Sequence, residues 1–365
     1  MRAHFVNENI GGHATMHRHL RTALADHPEI EATFFELDRG NLALRAAAVS
    51  LPVLGAFDLD LHLLRAGLAQ SALVARELAR LQPPPDVIHA YTQNIALLSV
   101  GHMRRIPTVV STDVTNRQVA YLMPHRHPSR FTPLAVRAGD PFERRVYKAA
   151  RRIVAHSEWA ADAIRSYGVA GDKVAVIPFG ISVPPPPPAR TGRDGRPRIL
   201  FVGSSLERKG GLRLLELWRR HLRDDSELVL VTHDSVAAED GLEVRNDVRP
   251  GDGRLEQILA DADIYVMPSD VDAFGYSLLE AMSAELPVVA LRRAAIPELV
   301  DAGTTGLLAE PADDLSLLQA LRELIGSPEQ RLAFGRAGRL RVLERFDARV
   351  TTAALVRLLI DCADA

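Results

Sequence analysis

The sequence predicts an α/β protein made of two doubly wound domains. Three observations predict it. Short β-branched runs alternate with longer helix-patterned stretches, a proline-rich connector interrupts that rhythm, and 365 residues suit two ordinary cores better than one. In the first half, strands are expected over 3–9, 31–37, 86–92, 107–113, 151–157 and 173–181, with helices over 13–27 and 63–82. The stretch 183–197, VPPPPPARTGRDGRP, favours neither helix nor sheet and marks a boundary. The rhythm then restarts, with strands over 198–204, 227–233, 242–248, 264–269 and 287–291 and helices over 211–222, 254–262 and 275–284. The expected organisation is therefore a Rossmann-like domain over 1–182, a second over 183–345, and a C-terminal helix over 346–365 that packs back on the first.

Composition narrows the function classes. Acids and bases nearly cancel at a formal net charge of −2 and are interspersed, so nothing marks the chain as binding nucleic acid. No run of 18 or more apolar residues could span a bilayer, and the opening MRAHFVNENIGGH lacks the apolar core of a secretory leader, so the expected location is cytoplasmic. The single cysteine, Cys362, leaves neither a disulfide framework nor a cysteine-based metal site.

In open α/β sheets ligands gather where strand C-termini lead into helices, so the strand-to-helix junctions are the places to search. The first, NENIGGHAT, carries Gly11 and Gly12 before a helix; it lacks the G-x-G-x-x-G spacing and following acid of a dinucleotide site. Alone, such a pair also suits an ordinary tight turn. The second, FVGSSLERKGGL, has Gly203 at a strand end and Arg208 and Lys209 before Gly210 and Gly211. It is no P-loop, because the lysine precedes the glycines and no hydroxyl follows; two cations on a glycine loop suit a diphosphate, and alone they suit a solvated basic turn equally well. The third, MPSDVDAFGYSLLEAM, runs from strand through an acidic loop into a helix. Its residues Gly275, Tyr276, Ser277 and Leu278 offer backbone N–H groups to an anion, with Phe274 before them among the expected nucleotide-binding residues, while Glu280 suits paired ribose hydroxyls and Asp272 the sugar hydroxyls.

Taken in order, GG, VIPFGI, FVGSSLERKGG, ADIYVMPSDVDAFGYSLLEAMSAELPVVA and AAIPELVDAGTTGLLAEPAD make the chain resemble the retaining glycosyltransferases of family 4, whose architecture is GT-B, with a cleft between the domains. The resemblance implies an E-x7-E motif filled here by Asp272 toward the donor sugar and Glu280 toward the ribose. It places Gly11, Gly12, Arg208 and Lys209 beside the donor phosphates and RNDV, residues 245–248, near the base. It implies hexosyl transfer from a nucleoside diphosphate sugar, UDP rather than GDP, with no metal or other cofactor, to a glycan, lipid or small-molecule acceptor. Three departures stand out: Asp272 replaces glutamate, Thr112-Asp113 replaces a His-Asp pair and leaves Asp113 as the group expected to touch sugar or acceptor, and Glu285 replaces glycine, with RRAAIPEL in place of a more glycine-rich loop. A non-catalytic nucleotide-sugar-binding homologue and a GT-B epimerase remain as alternatives.

Several features carry less. His13 and His17 lie four apart on a helix without a third ligand at zincin spacing, although His13 is placed to meet substrate. The basic stretch 117–152, opposed only by Asp140 and Glu143, suits a solvated face or a peripheral contact with an acidic membrane surface. The apolar stretch 46–57 is expected on the acceptor side, and Ser157 reads as a helix cap rather than a nucleophile.

Overall fold

The computed structural model describes residues 1–9, 12–38, 40–122, 128–186, 195–249 and 253–364. It divides into two compact units, Met1–Gly180 with Ala348–Ala365, and Ile181–Asp347. Unit 1 contains β1 (Arg2–Asn7), α1 (Gly12–Leu24), β2 (Glu31–Glu36), α2 (Leu42–Ala48), α3 (Pro52–Gly55), α4 (His62–Arg80), β3 (Val87–Tyr91) and α5 (Val100–Met103). It continues with β4 (Thr108–Thr112), α6 (Asn116–Tyr121), α7 (Thr132–Ala149), β5 (Arg152–Ala155), α8 (Glu158–Arg165) and β6 (Val174–Val176). Its six strands form one sheet in the order β2-β1-β3-β4-β5-β6, parallel throughout.

Unit 2 contains β7 (Arg198–Val202), α9 (Leu206–Lys209), α10 (Gly211–His221), β8 (Glu227–Val231), β9 (Leu242–Arg245) and α11 (Arg254–Asp261). Then come β10 (Ile264–Met267), α12 (Tyr276–Ser283), β11 (Val288–Leu291), α13 (Ile296–Leu299), β12 (Gly306–Ala309), α14 (Asp314–Gly326) and α15 (Pro328–Arg345). Its parallel sheet has the order β12-β11-β10-β7-β8-β9. The last helix, α16 (Ala348–Asp364), returns to unit 1 and packs on α1, β3 and β4.

Strand composition explains the layering. Every residue of β3, β4, β10 and β11 is buried, as expected of parallel strands covered by helices on both faces. Helix starts follow their caps. Thr115 and Gln118 form a reciprocal capping box on α6, Ser157 accepts from the Ala160 amide to open α8, and Asp313 accepts from two amides to open α14. In unit 2 the Trp218 ring is fully buried, with its indole N–H donating to Ser226 O at 3.3 Å.

The structure differs from the sequence reading at several ends. β9 stops at Arg245 because the Asn246 side chain turns back to donate to the Thr232 and Asp234 carbonyls at 3.1 and 2.9 Å. β6 stops at Val176, two residues before Pro178, which has no N–H for a ladder. β12, α2 and α3 were not foreseen, and each is only four to seven residues long. Among the described residues of the basic stretch 117–152, which exclude 123–127, the two acids do little to balance the surface. Asp140 is bonded to Arg117, and Glu143 is 0% exposed, accepting from Gln93, Asn116, Tyr147 and Tyr167 at 3.1, 3.2, 3.0 and 2.5 Å. Burial raises the Glu143 pKa against the lowering effect of those donors.

Candidate functional site

Each sheet has one place where the strand order reverses, between β1 and β3 in unit 1 and between β7 and β10 in unit 2. The loops leaving those strands open a crevice at their C-terminal ends. Each unit assembles a charged cluster there.

In unit 1 the cluster is built on His13, in the first turn of α1. Its Nδ1 lies 2.6 Å from Glu8 Oε1, just after β1, and its Nε2 lies 3.3 Å from Asp113 Oδ2, just after β4. Thr92, just after β3, donates its hydroxyl to the other Glu8 oxygen at 3.2 Å. Burial alone would strip the proton from this imidazole, but Asp113 and then Glu8 outweigh it and hold the His13 pKa well above 6.5. Burial works to raise the Asp113 carboxyl, but His13, with His156 and a backbone hydrogen bond, together outweigh it and hold it below its usual value. The trio thus sets one cation-favouring imidazole between two acidic side chains. Such a cluster accepts hydrogen bonds from hydroxyls and disfavours phosphate.

Beside it stands a second histidine in the opposite state. His156 donates Nδ1–H to the Ile177 carbonyl at 2.8 Å and stacks on Phe179 at 3.8 Å, and burial pushes its pKa down to about 4. The VIPFGI segment thus serves as the holder of a neutral imidazole. His17 lies 3.3 Å from Glu36, and among the described residues no group of three or more His, Cys, Asp or Glu side chains is arranged to hold a metal ion.

In unit 2 the cluster joins the β7 and β10 loops. Ser205 caps α9, accepting from the Arg208 amide, and Asp234 Oδ2 accepts from the Leu206 amide at 2.6 Å, so the short helix holds Lys209 at its end. Gly210 then turns at φ +77°, and a side chain there would meet Pro268 O at 2.0 Å. Only glycine lets the two loops pack this closely. Lys209 Nζ, carried on the first loop, is ion-paired with Asp272 Oδ1 on the second. Asp270 pairs instead with Arg293 at 3.2 Å.

Gly275 begins α12 in a left-handed conformation at φ +86°. Glu280 and Asp272 both act on the buried Tyr265 phenol at β10, whose pKa is raised first by burial and then by these two acids. Tyr276 is raised in the same way, by burial and then by Glu280. Both motif acids thus lie within electrostatic reach of one phenol, Tyr265 in β10.

Of the residues expected from sequence, Asp113 falls in unit 1; Gly203, Lys209, Asp272, Phe274, Gly275, Tyr276, Ser277 and Glu280 fall in unit 2, in the segments that follow β7 and β10. Arg208 stands apart with its side chain exposed. Gly11 lies outside the described residues, and Gly12 opens α1. Glu8 was missed; its only signal was an acid at a strand end three residues before a glycine pair.

Comparison with known proteins decides the family. A model described as Glycosyltransferase Family 4 matches residues 10–183, and one described as Glycosyl transferases group 1 matches 196–327. The chain is 30% identical over 298 residues to alpha-maltose-1-phosphate synthase of Mycobacterium tuberculosis, covering 71% of this chain and 75% of that protein. The chain belongs to glycosyltransferase family 4. It is also 30% identical over 208 residues to MMP alpha-(1->4)-mannosyltransferase of Mycolicibacterium hassiacum, where it spans half the length of that relative and 54% of itself is matched. Among solved structures, sucrose-phosphate synthase from Thermosynechococcus elongatus matches at TM-score 0.74 with 19% identity, covering 98% of both chains. Anabaena Alr3699/HepE in complex with UDP-glucose matches at TM-score 0.67 with 16% identity, covering 99% of this chain and 100% of that one. The fold is that of GT-B glycosyltransferases, two Rossmann-like units in one chain.

Family membership gives two of the departures a structural meaning. Glu285, where glycine is expected, has φ +59°, and Ala294, in the loop expected to be richer in glycine, has φ +46°. The left-handed backbone is kept although the residue that adopts it freely is gone. Gly335 of α15 explains part of the constraint at Glu285, since a side chain there would meet Glu285 O at 2.0 Å.

Proposed function

We propose that the protein transfers a hexose-type sugar, with retention, from a nucleoside diphosphate sugar to a glycan, lipid or small-molecule acceptor, in the cytoplasm and without a metal. The observation that carries this reading is the Lys209–Asp272 pair with Glu280 beside it, at the switch point of unit 2. UDP is preferred over GDP as the base carrier, supported by the UDP-glucose complex of the structural neighbour.

The chemistry follows from what each group can do. When the donor enters, Lys209 exchanges Asp272 for the diphosphate, with exposed Arg208 and the start of α12 adding positive charge as the leaving group forms. Asp272, released, accepts hydroxyls of the sugar, and Glu280 accepts those of the ribose. The anomeric C–O bond to phosphate breaks as the bond to the acceptor oxygen forms on the same face, and the acceptor proton passes to the departing phosphate oxygen. No enzymic nucleophile is needed. In unit 1 the Glu8–His13–Asp113 trio is the hydroxyl-binding element, with Asp113 kept ionised by His13.

Calorimetric titration of UDP, GDP, ADP and their common sugar conjugates in EDTA tests the proposal, followed by NMR of the product's anomeric configuration. Metal-free binding of a sugar nucleotide and an α-product from an α-donor are expected. Inversion at the anomeric carbon, or binding that requires a divalent metal, contradicts it.

A further inference from the structure

Half of the sixteen exposed large apolar side chains among the described residues fall within residues 42–63 of unit 1. They include Leu42 at 76% and Val53 at 75% exposure, with Val49, Leu54, Phe57 and Leu59. The helix α2 has no buried residue at all. An apolar cluster of this density is unusual on the surface of a protein in water.

The acids of this segment are turned inward. Asp60 is 5% exposed and accepts from Ser50 Oγ at 3.4 Å and the Leu51 amide at 3.2 Å. Asp58 accepts from the Ser129 amide and from the Ser129 and Thr132 hydroxyls. Those bonds tie the apolar segment to the start of the basic stretch, and the rings of Phe57 and Phe131 meet at 6.2 Å. The structure thus joins two segments that are seventy residues apart in sequence into one surface. Its charged outward groups are cations: Arg45, Arg130 and Arg137 are exposed, and Arg130 lies over the Phe131 ring at 4.6 Å. Across 128–139 there is no acid. A pocket between the two segments is lined by Leu61, Leu63, Leu64, Val119, Ala135 and Val136 among others.

We propose that this surface docks unit 1 on a bilayer with anionic headgroups, the 42–63 ridge entering the acyl boundary and the arginines lying at headgroup level. Apolar side chains projecting from a basic rim, with the acids withdrawn, complement that partner. A free polyanion would use the arginines and leave the apolar ridge unexplained. The proposal rests on the reading of unit 1 as the acceptor side, and it names the environment in which the acceptor is met.

Flotation of the full chain with vesicles tests it, using phosphatidylcholine alone and phosphatidylcholine mixed with phosphatidylglycerol, at low and high salt and without donor. The chain is expected to float with the anionic vesicles, to lose that binding in high salt, and to bind neutral vesicles far less. Val53→Glu and Leu42→Glu, at the most exposed positions, should each lower the anionic-vesicle partition about tenfold with the melting temperature unchanged, and Arg137→Glu should do the same. Failure to float, or flotation that these variants leave intact, overturns the proposal. So does a dimer in sizing with light scattering that Val53→Glu dissociates, since the ridge would then be a contact between copies. Because no donor is present, failure here leaves the transferase reading standing, and failure of the transferase reading leaves flotation unaffected.

Discussion

The two charged clusters hold their cations in different ways. His13 sits between two carboxylates that come from the ends of different strands, and both of its ring nitrogens are engaged. Lys209 has one ion-pair partner, Asp272, and both side chains are about a fifth exposed, at 21% and 19%. A cation held at both ring nitrogens by two acids is part of the fold, whereas a lysine of similar exposure with a single acidic partner is poised to exchange one anion for another. On the proposed function, the first cluster is a fixed hydroxyl-binding element and the second is the one that exchanges its anion for the donor.

The largest effect expected from this contrast is on stability. We predict that His13→Ala costs about 3–5 kcal/mol in chemical denaturation, since it leaves Glu8 and Asp113 facing each other without their cation. Lys209→Ala should cost only about 0–1 kcal/mol. Equal losses would erase the distinction. The pH dependence carries the same contrast. The raised His13 pKa contributes stability that is fully present below the ordinary value of 6.5 and is lost as pH rises through its folded value. The lowered Asp113 pKa contributes stability present above 3.8 and lost as pH falls through its folded value. NMR titration of the histidines should therefore show His13 still charged when His156, with its pKa lowered to about 4, is long neutral.

Donor binding reverses the ranking. Lys209→Ala should weaken sugar-nucleotide binding by about 1.5–3 kcal/mol, the scale for a charge-assisted hydrogen bond. Glu280→Ala should impair binding of the free nucleoside diphosphate, whereas Asp272→Ala should spare it and slow transfer. Calorimetry with and without the sugar separates the two acids, and equal loss of free-nucleotide affinity would refute that division of labour.

The smallest expected effect concerns backbone strain. Glu285→Gly should stabilise unit 2 by about 0.5–1 kcal/mol by relieving a left-handed glutamate. A measured loss of stability would mean that the Glu285 side chain, 3.9 Å from Arg339, contributes more than its backbone costs.

The contrast between clusters also explains what could be read from sequence. The unit 2 cluster is assembled from two short continuous segments, so 203–211 and 267–282 showed its cations and acids directly. The unit 1 cluster gathers Glu8, His13, Thr92 and Asp113 from the ends of three strands. Only Asp113 was singled out as a site residue and His13 as a substrate contact, because long-range pairing leaves no local spacing to recognise. The buried runs of β3, β4, β10 and β11 made the sheets legible, while β12, with four residues and a leading glycine, had too little pattern. At Glu285 the family's glycine pointed to a special backbone that no property of glutamate signals.

The central claim is that Lys209 exchanges Asp272 for the donor diphosphate. Calorimetric affinity for free UDP in the wild type, Lys209→Ala and Asp272→Asn tests it most directly. The account predicts that Lys209→Ala binds UDP at least about tenfold more weakly, while Asp272→Asn, which removes the competing anion, binds it as tightly as the wild type or more so. Weakening of UDP binding by Asp272→Asn to the extent seen with Lys209→Ala would contradict the exchange.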